Sequence, residues 1–128
     1  MRRLLRHFTT LACAALLAGC ASDTGPSDAP GALHAEITLA GASADQVRAG
    51  ELRLYGSASD FEDEVAPRRT PLEGGPAAWR ATVAELAPGT YYLRACFDFG
   101  CGDYRTETGA PRPIAVTAGR TTEVTAAF

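Results

Sequence analysis

The sequence predicts an all-β fold, a sandwich or small barrel of antiparallel strands, and three observations carry that expectation. Apolar side chains recur with a period of two in several short runs. Each run stops at glycine, proline or serine, about ten residues apart. No stretch holds a helical period long enough to compete, because Ala42 to Ala49, the best candidate, is fenced by Gly41 and Gly50 and reads as a loop.

The first strand places Leu33, Ala35, Ile37 and Leu39 on one face and His34, Glu36 and Thr38 on the other. Leu52 and Leu54 repeat the pattern before Gly56-Ser57, and Trp79, Ala81 and Val83 repeat it with Arg80 and Thr82 outward. After the Pro88-Gly89 turn, Tyr91, Leu93, Ala95 and Phe97 are expected inward, with Tyr92, Arg94 and Cys96 on the solvent side. Ile114 with Val116, then Val124, Ala126 and Phe128, complete the set.

Ahead of the first strand the composition changes twice. Arg2, Arg3 and Arg6 precede an uncharged run from Phe8 to Ala18, about half the roughly 20 residues that span a bilayer as a helix. The run closes on Leu17-Ala18-Gly19-Cys20, which resembles the lipobox of bacterial lipoproteins. That resemblance implies a signal peptide over residues 1–19, cleavage before Cys20 and lipid attachment to its thiol. Ala21, in place of the aspartate that commonly retains such proteins in the inner membrane, points to the outer membrane of a bacterial envelope, on its periplasmic or surface side. Residues 20–32 then form the lipidated cysteine and a linker too poor in bulky apolar groups to offset its ordering entropy, which predicts a flexible tether. The domain proper spans residues 33–128, enough chain for a single core.

The sequence carries 12 basic residues, all arginine, against 15 acidic ones. With Arg2, Arg3 and Arg6 lost, nine arginines face those fifteen carboxylates, a balance that disfavours nucleic acid and anionic lipid as partners and leaves the lipid as the route to the membrane. On the lipoprotein reading Cys13 leaves with the signal and Cys20 is acylated, so Cys96 and Cys101 remain to pair. A disulfide there suits an oxidising compartment. The competing reading, a metal site, has two of the four ligands that structural zinc requires.

Leu86, Pro88, Gly89 and Tyr91, in the order Leu-x-Pro-Gly-x-Tyr, resemble the tyrosine corner of Greek-key sandwiches, in which the phenol bonds back to nearby backbone. An ordinary hairpin turn with an exposed tyrosine is the plainer alternative. The wider run from Trp79 to Ala95, with Ile114 to Val124, looks like the transthyretin-like or carboxypeptidase-regulatory-like domains of secreted bacterial proteins. The resemblance implies an antiparallel Greek-key β-sandwich of about seven strands, prealbumin-like or immunoglobulin-like in topology.

Chemistry is sparsely provided. His34 lies alone on the polar face of a strand, and no nucleophile elbow, phosphate-binding loop, metalloprotease helix or cofactor motif is present, so no catalytic residue and no cofactor are expected. Asp60, Glu62, Asp63 and Glu64 crowd one segment, a weak calcium candidate set against a solvated acidic loop with Phe61 tucked onto the sheet edge. The segment Asp98-Phe99-Gly-Cys101-Gly-Asp103-Tyr104 joins aromatics and carboxylates around a turn, the expected ligand-binding loop, although its glycines and aspartates also suit plain turn chemistry. The functional expectation is a membrane-anchored, non-catalytic binding module for an envelope protein or glycan. An accessory domain serving an envelope enzyme and a calcium-dependent adhesin are the alternatives.

Overall fold

The computed structural model describes residues 28–40, 47–75 and 77–128. The expected signal peptide, Cys20, most of the expected tether and most of the loop expected over residues 42–49 lie outside the described residues. Within them the chain is all-β with one short helix: β1 Gly31–Thr38, β2 Gly50–Tyr55, α1 Ala58–Asp63, β3 Arg68–Gly74, β4 Ala78–Leu86, β5 Gly89–Phe97, β6 Gly100–Asp103, β7 Ile114–Val116 and β8 Thr121–Ala127. Six of the strands fall on the apolar runs that the sequence marks.

The strands form one curled sheet in the order β6-β5-β2-β3-β4-β1-β8, with β7 also paired to β5. The curl turns on β3, whose residues Arg68 to Leu72 pair with β2 while Glu73 and Gly74 pair with β4. Pro71 is tolerated because it sits where β3 has a neighbour on the β2 side alone. Curling brings the period-two faces together. Leu33, Ile37, Trp79, Val83 and Val124 from one half meet Leu52, Leu54, Leu93, Ile114 and Val116 from the other in a single cluster. A wholly antiparallel sheet was expected, yet β1 and β8 run parallel, from Ala32 opposite Thr121 to Thr38 opposite Ala127.

Two further expectations are corrected. Arg94 and Cys96, assigned to solvent by alternation, are buried, at 5% and 8% exposure. Cys96 is joined to Cys101 across the hairpin, whereas for Arg94 the reason is α1: the acidic segment expected as a loop folds into a helical turn that covers the outer face of β5 and β2. Ser57 caps it, its Oγ accepting from the Asp60 amide at 3.1 Å. Asp60 lies in the first turn, where the helix dipole favours negative charge, and Glu64 closes the turn in the left-handed conformation at φ 56°. The turn holds Phe61 fully buried, edge-on to Tyr55 at 5.6 Å between ring centroids. Meanwhile Tyr91 and Phe97, expected inside, are partly buried and pack on the margin of the core.

Candidate functional site

At the β5–β6 hairpin, Cys96 and Cys101 stand directly opposite each other and are joined by a disulfide. The segment between them carries Phe97, Asp98, Phe99 and Gly100, and Gly100 takes φ 145°, a conformation costly for a residue with a side chain. Phe97 anchors the tip by meeting Trp79 edge-on at 5.8 Å. Phe99 stacks on Phe97, 5.9 Å between centroids and 9° between planes, and its outer face is open, with 62% of the residue exposed. Asp98 turns one carboxylate oxygen to the Arg48 amide at 3.2 Å.

The tip stands at the pole opposite the start of the domain. β1 begins at Gly31 opposite Thr121 and runs away from it, and Phe97 and Gly100 lie at the far end of β5, which β2 and β6 share. A strand of eight residues separates the two poles by about 26 Å at ~3.3 Å per residue. A segment leading into Gly31 therefore joins the domain on the side away from Phe99.

The expected binding loop divides into two places. Asp98 and Phe99 are at the tip, whereas Asp103 and Tyr104 are further down, where Tyr104 packs against the core and lies beneath the Arg112 guanidinium at 5.1 Å. Asp103 is the centre of an ion network. Its Oδ1 accepts from Arg94 Nε at 2.5 Å, and its Oδ2 accepts from Arg94 Nη2 at 3.1 Å and from Arg105 Nη2 at 2.9 Å. Arg94 also donates to Glu64, and Arg105 makes a two-pronged pair with Glu62 at 2.8 and 3.0 Å. Both guanidinium carbons lie 5.0 Å from the centroid of the Phe61 ring.

Three of the four calcium candidates have other placements. Glu62 and Glu64 serve arginines, Asp60 sits in the first turn of α1, and among the described residues no group of three or more His, Cys, Asp or Glu side chains is placed to share an ion. Sequence reasoning missed Arg94 and Arg105 as the partners of this acidic segment. A signal was present, since Tyr91 to Phe97 is apolar on both parities apart from Arg94, the pattern of a strand covered on both faces.

Burial pushes the Asp103 carboxyl up, but hydrogen bonds from Arg94 and Arg105 outweigh it and hold the group below its ordinary value. Glu62 is lowered chiefly by its hydrogen bond to Arg105. A carboxyl whose folded value lies below its unfolded one contributes stability above the unfolded value, about pH 4, and loses it as pH falls through the folded value. Urea unfolding followed from about pH 7 down to about pH 2.5 should show that loss, and Asp103→Asn should flatten the acid limb relative to the parent chain. An unchanged slope would remove Asp103 from the account.

Tyr91 donates its hydroxyl to the Ala87 carbonyl at 2.6 Å, across the Pro88-Gly89 turn, the contact that the tyrosine-corner resemblance implies. Tyr91→Phe is expected to lower stability by about 1 kcal/mol in denaturant titration, with little change in the cooperativity of unfolding. His34 lies on the polar face as expected, its Nδ1 2.8 Å from the Thr82 hydroxyl. Compared with protein-family models and with curated proteins, the chain matches none, so its chemistry is read from its own residues.

Proposed function

We propose that this chain is a lipid-anchored protein of the bacterial cell envelope, attached through Cys20, whose β-domain is a non-catalytic interaction module built as a Greek-key sandwich. In this reading the partner is an envelope protein or glycan and docks on the β5–β6 tip. The observation that carries the reading is the open Phe99 ring, stacked on Phe97 over a disulfide-tied hairpin at the pole remote from Gly31. A large apolar ring held rigid and half in water loses little side-chain freedom on binding, which is why such residues anchor interfaces. A lipid at Cys20 and a tether to Gly31 would direct that pole away from the membrane.

Two experiments test the two halves. Cys20→Ala should leave an unprocessed precursor, and mature-size soluble protein would overturn the anchor. For the module, a photo-crosslinking residue placed at position 99 should capture one stoichiometric envelope protein, or glycan, that the same probe at position 85, on the opposite pole, does not. Equal capture from both positions, or from neither, would overturn the tip as the docking surface.

A further inference from the structure

The outer face of the sheet carries an arrangement of charge that neither the ion network nor the tip explains. Arg69 on β3 is directly opposite Arg53 on β2, and Arg53 is directly opposite Arg94 on β5, so three guanidinium side chains lie in one row across three neighbouring strands. Like charges facing each other across strands destabilise a sheet unless something shares them. Arg94 is neutralised by Asp103 and Glu64. Arg53 and Arg69 instead converge on one carboxylate oxygen, Glu51 Oε1, at 2.8 and 3.5 Å. Two cations thus share a single anion, and the weaker contact belongs to Arg69, whose side chain is 56% exposed.

These residues wall a groove of about 380 Å³ that continues past Cys96 to Asp98. That volume lies within the range of small-ligand sites. Its two ends differ in chemistry: guanidinium groups at the Arg53 and Arg69 end, and the Asp98 carboxylate at the other. We propose that the groove is a binding site for an acidic saccharide. Its carboxylate or phosphate oxygens replace Glu51 between Arg53 and Arg69, and its hydroxyls reach the Asp98 carboxylate. Planar guanidinium forks match an oxyanion two-pronged, and Glu51 holds the pair in register until the ligand displaces it. Phe99 does not line this groove, so the site stands or falls separately from the tip.

The test is titration of the full-length chain in neutral detergent, reading the arginine side-chain N–H resonances, with inorganic phosphate, a galacturonate trisaccharide and neutral maltotriose as probes. Galacturonate or phosphate should move the Arg53 and Arg69 signals saturably while maltotriose does not, and whichever acts at the lower concentration identifies the source of the oxyanion. Arg69→Gln should weaken binding roughly tenfold, and Glu51→Gln, by removing the internal competitor, should tighten it several-fold. A gain on losing Glu51 is a readout that a purely structural carboxylate would not give. Phe99→Ala should leave binding unchanged. The site is overturned if neither anion shifts these resonances, if maltotriose acts equally, if Arg69→Gln retains full binding, or if Glu51→Gln weakens it.

Discussion

Arg94→Ala is expected to destabilise the domain by roughly 3–5 kcal/mol, enough to consume much of the stability of a domain this size. The side chain is 6% exposed and holds both oxygens of Asp103, itself 25% exposed, as well as the outer carboxylate of Glu64, so its removal takes the main partner from Asp103 and empties the space beneath the Phe61 ring. A buried pair replaced on both sides by apolar groups is often neutral, and the large cost belongs to breaking one partner alone. Arg94→Lys should recover part of the loss, because the charge is kept and the two-pronged geometry is not. Urea unfolding gives the comparison directly. A loss under about 1 kcal/mol for Arg94→Ala would mean that Arg105 and solvent satisfy Asp103 without Arg94.

Phe61→Ala is expected to cost a similar amount, roughly 3–5 kcal/mol for a fully buried phenylalanine. Its ring is the contact between α1 and the outer face of β5 and β2, with Tyr55 edge-on and the Arg94 and Arg105 guanidinium groups 5.0 Å away. A helix of six residues has no independent stability, so the turn should open when the ring goes. Hydrogen exchange should report this as lost protection in residues 58–65 before any change in β1 or β4. Because Phe61 and Arg94 touch, the double substitution should cost less than the two single losses added together. Strict additivity would show that the helix and the ion network are energetically separate.

Much of this fold is legible in the sequence because period-two burial survives without knowledge of partners. Leu33, Ala35 and Ile37, then Trp79, Ala81 and Val83, then Val124 and Ala126, are buried as their spacing predicts. What the pattern does not hold is a strand without a repeating apolar face. β3 has one buried side chain, Leu72, and β6 reads Gly-Cys-Gly-Asp, so both exist through their neighbours' hydrogen bonds more than through their own burial. The helical turn is hard to see for the opposite reason: Ser57 and Asp60 form a fair cap in a segment whose acidity suggests solvent, although Phe61 lies against the sheet as expected. The candidate site was half legible. Asp98 and Phe99 are at the tip, but alternation placed Arg94 in water and so left Asp103 looking free to bind a ligand. The groove beside Arg53 and Arg69 was not visible at all, since cross-strand register decides which arginines become neighbours.

The parallel pairing of β1 with β8 joins the first strand of the domain to the last. Until the final seven-residue strand has emerged from the ribosome, one flank of β1 has no backbone partner, and Leu33, Ala35 and Ile37 lack the cover of Val124 and Ala126. Contacts so distant along the chain make for slow closure. A polypeptide with this topology cannot close its sheet around β1 until β8 has been made, however much of the intervening chain has already paired.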